Sequence, residues 1–294
     1  KSEEQFLAEQ QDMVAHNVMN PTIYQKMDET LLPRVFELRE QAGMDHPRVY
    51  SLGISTGAPK TEEALADLKR RVTQWREFVA GRGYETLYVY GIDEAKGEEL
   101  EAERTAFEAV HDVDAKVYVA CYKDWFELVG DLLDMPVWSG QPLAEEAEKA
   151  HSVGARIFNY GNPQGGVEEP ETYRRNFGLL LWSVNYDGAM TYAYQHSFGH
   201  GWNDFDSDRY RDHNMAYPTV DGVIGTVEWE GYREASDDVA YVTTLLNLIN
   251  EAEEAGGARG EKARAARDWV MSIDPQGDLD QIRAGIIKRV MALR

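Results

Sequence analysis

Short apolar runs rich in Tyr, Val and Ile recur along this chain, and segments of helical period separate them. Runs of that length and near-continuous apolarity suit strands buried on both faces, and their alternation with helices is the pattern of βα units around parallel strands. The predicted strands are Pro21 to Tyr24, Val49 to Ile54, Thr86 to Ile92, Lys116 to Tyr122, Pro136 to Ser139, Arg156 to Tyr160 and Ala189 to Gln195, with Gly222 to Trp229 as an eighth. Between them, Thr61 caps a helix to Gly81 that sets Ala64, Leu65, Leu68, Val72, Trp75 and Val79 on one face. Pro170 to Val184 starts on a proline after two acids, as a helix N-terminus does. The expected class is α/β, a (β/α)8 TIM-like barrel. The doubly wound alternative lacks its Gly-rich fingerprint after the first strand.

The chain opens on a helix, Ser2 to His16. Either the first barrel strand lies upstream or is missing from this chain, or Pro21 to Tyr24 is strand one. Past Val242 the period is helical, with Ala255-Gly256-Gly257 as a break and Asp278 or Asp280 capping a last helix that turns Ile282, Ile286, Ile287, Val290 and Met291 inward. The expected domains are therefore a barrel over 1–250 and a C-terminal helical extension over 251–294, packed on the barrel wall.

Asp93 and Glu94 stand where the run Thr86-Leu87-Tyr88-Val89-Tyr90-Gly91-Ile92 stops and a Glu-rich helical stretch begins. A core strand holds no unpaired charge in its middle, so acids at its tip face water or a substrate, and a β/α barrel keeps its chemistry at the carboxyl ends of its strands. Glycosidic cleavage takes a general acid at the leaving oxygen and a group that stabilises positive charge at the anomeric carbon; ordinary retaining enzymes use a second carboxylate about 5 Å away. Glu94 is expected as the acid. The late strand tips read Asn159-Tyr160-Gly161-Asn162-Pro163-Gln164 and Tyr192-Ala193-Tyr194-Gln195-His196, which offer amides, phenols and an imidazole but no carboxylate. Asp93 is then the partner left to Glu94.

An adjacent Asp-Glu pair suits a substrate-assisted route, in which the sugar's own 2-acetamido group attacks the anomeric carbon. Asp93 would orient the acetamido N–H, and Glu94 would protonate the leaving oxygen and later deprotonate water. Successive strand residues point to opposite faces, so both acids reach one site only if the chain bends, with Gly91 as the expected bend. The competing expectation is that Asp93 caps the helix starting near Gly97 while Glu94 is solvated.

A second cluster runs from Tyr192 through Gln195, His196, His200, Trp202, Asn203, Asp204, Asp206, Asp208 and Asp212 to His213. Rings stack on the apolar faces of pyranoses and amides and acids bond their hydroxyls, so this loop is expected to form a sugar-binding rim. Sugar contacts are expected from Tyr90, Asn159, Tyr160, Asn162, Tyr194, Gln195, His196, Trp202, Asp204 and Trp229, with Trp138 facing the barrel mouth. Zinc at His196, His200 and Asp204, or a calcium loop over Asp204, Asp206 and Asp208, are the metal alternatives; no Gly follows Asp208 where a calcium loop turns. No metal and no nucleotide cofactor is expected.

Of 294 residues, 52 are Asp or Glu and 30 are Lys or Arg, a formal net charge of -22. That field opposes nucleic acid and anionic membranes as partners and is compatible with neutral carbohydrate. Cys121 is the one cysteine, so no intrachain disulfide forms, and its apolar surroundings make it core. No apolar run reaches the roughly 18 residues of a membrane span. The start Lys1-Ser2-Glu3-Glu4 lacks an initiator Met. If a leader or upstream domain was removed, a secreted or periplasmic location is slightly favoured; otherwise location stays open.

Two stretches resemble a known family. Tyr90-Gly91-Ile92-Asp93-Glu94 is similar to the strand-end Asp-Glu of glycoside hydrolase family 123, and Tyr217-Pro218 through Gly225-Thr226-Val227-Glu228-Trp229-Glu230-Gly231-Tyr232-Arg233-Glu234-Ala235-Ser236-Asp237-Asp238 resembles that family's C-terminal pattern. Ala95 stands where that family has proline, and Ala235 where its Arg-Glu-Gly element has glycine. The resemblance implies a β-N-acetylgalactosaminidase on a (β/α)8 barrel, with Asp93 and Glu94 as the acid pair after the fourth strand and substrate-assisted catalysis.

Overall fold

The computed structural model describes residues 1–294. Helix α1 (Glu3–Ala15), capped by the Ser2 side chain, precedes α2 (Leu31–Gln41), and between them Ile23 forms a single parallel bridge to Ser51. Six parallel strands follow: β1 (Arg48–Ser55), β2 (Thr86–Tyr90), β3 (Lys116–Cys121), β4 (Met135–Ser139), β5 (Phe158–Tyr160) and β6 (Gly188–Ala189). Helix α3 (Glu62–Ala80) joins β1 to β2, and α4 (Glu98–Glu101) with α5 (Arg104–His111) joins β2 to β3. Then come α6 (Trp125–Val129) and α7 (Ala144–Ser152), and α8 (Pro170–Arg174) continues through a π-helical turn, Arg175–Leu179, into α9 (Leu180–Ser183). The expected cap is in place, since Thr61 accepts from Ala64 N, and α3 buries Leu68, Val72, Trp75 and Val79 at steps of three and four. Each such side chain contributes about 1.5–3 kcal/mol by burial.

Every strand lies beside its successor, with no point where the order reverses. A doubly wound sheet has such a reversal and a barrel does not. The sheet is also strongly curled: the rings of Tyr50 on β1 and Phe158 on β5 stand 6.0 Å apart. In a flat sheet, four strand spacings would separate them by about 19 Å.

Side-chain alternation divides the strands into two faces. The inner face gathers Tyr50, Tyr88, Tyr118, Ala120, Met135, Val137 and Tyr160. Val49, Leu87, Val89, Val117, Val119, Cys121 and Trp138 join the larger core under the helices. Trp138 therefore turns away from the expected mouth, and its indole donates to Gln141 O at 2.9 Å.

The sheet stays open, and two expected strands account for it. Of Ala189 to Gln195, only Ala189 continues the parallel ladder; Gln195 and His196 instead form β7 (Gln195–His196), antiparallel to β8 (His213–Asn214). Gly222 to Trp229 is not a barrel strand. Its first part is β10 (Val223–Gly225), antiparallel to β9 (Ala216–Pro218), and its end is the start of α10 (Val227–Ala255). The reason is local: Thr226 accepts from Trp229 N, and Glu228 and Glu230 fill the first helical turn. Counting Ile23 as the first rung, Asp93 and Glu94 follow the third strand within this chain, not the fourth that the resemblance implies.

Helix α10 runs unbroken through residue 250, and its second half shares a separate core with α11 (Gly257–Met271) and α12 (Leu279–Leu293). Asp278 caps α12 as expected, but Ile287 and Met291 face solvent while Leu279, Ile286, Val290 and Leu293 are buried. The first half of α10 packs on α8 almost backbone to backbone, because a Cβ on Gly231 would sit 2.2 Å from Pro170 O. Gly231→Ala is accordingly expected to destabilise the fold by about 1–3 kcal/mol or more through overpacking. A urea titration would show this as a lowered midpoint at unchanged slope.

Candidate active site

At the carboxyl edge of the curled sheet, the inward positions of successive strands converge on Asp93 and Glu94. Tyr90 on β2 donates its hydroxyl to Asp93 Oδ1 at 2.6 Å, and Tyr160 on β5 donates to Glu94 Oε1. Tyr122, two positions beyond Ala120 on the same face, lies beside Glu94, Tyr160 and Ser139. The ammonium of Lys96 stands 3.6 Å from the centroid of the Tyr122 ring. From the two ends of the sheet, Tyr24 and Tyr192 come close enough for the charge of Asp93 to act on both hydroxyls.

These phenols stay protonated. Burial and then the hydrogen bond to Asp93 push the Tyr90 hydroxyl far up; burial and then the bond to Glu94 do the same for Tyr160. The mouth thus presents fixed O–H donors to the side chains of Asp93 and Glu94.

The bend that brings both acids to one mouth lies at Glu94, whose φ of 53° is left-handed, and not at Gly91. Gly91 still donates to Tyr118 O at 3.0 Å within the ladder. Its lack of a side chain serves packing, since a Cβ there would meet Val119 Cβ at 3.1 Å. Asp93 does not cap the following helix. The N–H of Gly97 goes to Asp124 Oδ2 at 2.9 Å, and α4 has no side-chain cap.

Behind the pair sits Glu103, fully buried, which accepts from the Thr56 hydroxyl and from Ile92 N at 3.2 Å. Burial raises its pKa above the usual carboxylate range. It ties the end of β1 to the turn that carries Asp93 and Glu94. No apolar period or motif marks it, and its partners come together only through the fold.

The remaining predicted contacts divide by location. His196 touches the mouth through Tyr192, whose hydroxyl is 2.6 Å from its Nδ1. Asn159 is fully buried and donates to Trp138 O and Gly140 O, while Asn162 accepts from Asn176. Tyr194 and Trp229 both donate to Asp12 of α1, at 2.7 and 2.9 Å, and Gln195 accepts from Lys1. Trp202 is 52% exposed and stacks on Tyr217, which donates to the buried Asp204. Tyr122, Ser139 and Tyr24 were not singled out from sequence, although each lies at or just past the end of a predicted strand.

The proposed zinc ligands turn to different partners. His196 meets Tyr192, His200 Nδ1 accepts from Trp202 N, and Asp204 faces Tyr217 and Arg211. Asp206 accepts from His200 N, and no three His, Cys, Asp or Glu side chains are grouped to hold a metal ion. No helix is long and apolar enough to cross a membrane.

No protein-family profile matches the chain, and no curated protein matches it in sequence. Among solved structures, it is similar to an endo-β-1,4-mannanase from Thermotoga petrophila, at 12% identity over 81% of this chain and 74% of that one, with a TM-score of 0.49. It is also similar to a putative α-L-fucosidase from Bacteroides thetaiotaomicron, at 13% identity, 67% and 80% coverage and a TM-score of 0.45. A third likeness is to an O-GlcNAc hydrolase variant from Thermobaculum terrenum, at 13% identity, 100% and 79% coverage and a TM-score of 0.39. At such identity and overlap these likenesses assign no chemistry, which has to come from the side chains at the mouth.

Proposed function

We propose that the chain is a glycoside hydrolase on a barrel of (β/α)8 type, which removes a β-linked 2-acetamido sugar, N-acetylgalactosamine first, with retention and by substrate assistance. One observation carries the reading. Two adjacent carboxylates at the carboxyl edge of a curled parallel sheet are each held by a separate tyrosine hydroxyl, while the tips of β3, β4 and β5 offer Tyr122, Ser139 and Tyr160 in place of a second carboxylate. A protein nucleophile of the ordinary retaining kind is therefore lacking there, and the substrate's acetamido oxygen takes that role.

In the first step that oxygen bonds to the anomeric carbon as the glycosidic bond breaks. Glu94 gives its proton to the leaving oxygen, and Asp93 accepts the acetamido N–H, stabilising the positive charge of the cyclic intermediate. In the second step Glu94, now a carboxylate, takes a proton from water as the water oxygen bonds to the same carbon, which opens the ring and restores both the acetamide and the acid. Tyr160 bonds one oxygen of Glu94 and Tyr122 stands beside the same carboxyl, so the two phenols orient the acid. Tyr90 fixes the rotamer of Asp93.

Hydrolysis of aryl β-N-acetylgalactosaminides and β-N-acetylglucosaminides, with inhibition by a sugar thiazoline, is the test. Turnover that is lost in Asp93→Asn supports the reading. Sugar binding without turnover of any aryl glycoside would instead make the protein a carbohydrate-binding barrel.

A further inference from the structure

A row of rings leads outward from the acid pair. Tyr192, at the mouth, has its ring centroid 5.3 Å from that of His196, which is 4.6 Å from Phe198, which is 5.2 Å from Tyr210. Phe198 and Tyr210 are 40% and 59% exposed and belong to none of the hydrophobic cores. The loop that carries them is held in place from below. Phe198 N donates to Asp212 Oδ1 at 2.7 Å and His196 N to Asn214 Oδ1 at 3.1 Å, and both acceptors are buried. Burying an acid to fix an exposed loop is costly, and fixing that loop's shape is what offsets it.

We propose that the row Tyr192, His196, Phe198 and Tyr210 is a binding track for the glycan chain beyond the scissile sugar, so that the substrate class is an N-acetylhexosamine-terminated oligosaccharide. This rests on the glycosidase reading for the sugar at Asp93 and Glu94. The choice of a glycan over other occupants follows from continuity with that site and from ring chemistry: a row of rings that runs from the half-buried Tyr192 and His196 to the exposed Phe198 and Tyr210 suits successive apolar faces of pyranoses. A net charge of -22 opposes an anionic membrane surface.

The test titrates Glu94→Gln protein, by calorimetry, with chito-oligosaccharides of increasing length and with the same oligomers capped by a terminal N-acetylgalactosamine. Affinity for one of the two series is expected to rise with chain length, and Phe198→Ala and Tyr210→Ala each to lower it about tenfold for the long oligomers, flattening the dependence. Phe205→Ala, a ring 75% exposed and packed by Arg211 outside the row, is expected to keep it. Affinity that ignores length, or that ignores Phe198 and Tyr210, overturns the track. Wild-type turnover of aryl glycosides is read in parallel. If turnover is present and length dependence absent, the track alone falls; if length-dependent binding persists without turnover, the hydrolase reading falls and the track stands; if both are absent, both fall.

Discussion

Glu94→Gln is expected to lower kcat/KM by about 10²–10⁴-fold on glycosides with poor leaving groups, the range that general acid–base assistance supplies. The amide keeps an oxygen for the Tyr160 hydroxyl to bond, so the turn at Glu94 and the mouth around it should survive the change. What is lost is the proton. The defect should therefore depend on the aglycone: large for an oligosaccharide or alkyl leaving group, and much smaller for a dinitrophenyl group, which departs without protonation. Parallel kinetics on the two substrate types check this, with thermal melting to show that the variant is folded. Equal losses on both would mean that Glu94 acts through structure rather than as the acid.

The second large effect is on stability. Asp238 is 1% exposed and accepts from Arg174 Nε at 2.7 Å and from Arg283 Nε, while Arg174 also reaches Asp280 at 2.6 Å and Arg283 reaches Glu234. The carboxylate thereby joins α8, α10 and α12. Replacing it with alanine leaves two partly buried guanidinium groups without their shared partner, and breaking a buried pair in this way costs about 3–5 kcal/mol. Asp238→Ala should accordingly lower Tm by roughly 10 °C. Asp238→Asn, which retains an acceptor, should lose less. A melting temperature within a degree or so of wild type in Asp238→Ala would show that the network contributes little. Arg233 pairs with Glu230, Glu234 and Asp237 along α10 itself, and Glu234 also reaches Arg283 on α12, so this part of the family-like stretch braces α10 and its contact with α12.

The legibility of this fold in the sequence differed by range of interaction. Strand runs and the cap at Thr61 depend on neighbours a few residues away, and they were readable. So was the acid pair, because a strand tip is a local feature. Trp229 and Tyr194 look like rim residues in a list of aromatics, yet both bond to Asp12, 217 and 182 residues distant in the chain. No local pattern announces that pairing. Glu103 was hidden for the same reason, since its partners Thr56 and Ile92 arrive from separate strand ends. Tyr122 was within reach: counting alternate positions from Tyr118 puts it on the inner face. The apolar run over Gly222 to Trp229 is not a barrel strand because Thr226 caps a helix there and Glu228 and Glu230 suit its first turn.

The central claim is that the sugar supplies the nucleophile while Asp93 and Glu94 manage its protons. Its most direct test is kcat/KM for a series of aryl hexosaminides whose acetamido methyl carries no, one, two or three fluorines. Fluorine withdraws electron density from the attacking oxygen, so the account predicts a steep, monotonic fall along the series. Rates that stay flat across the series, or that match those of the corresponding sugar with a plain hydroxyl in place of the acetamido group, would contradict it.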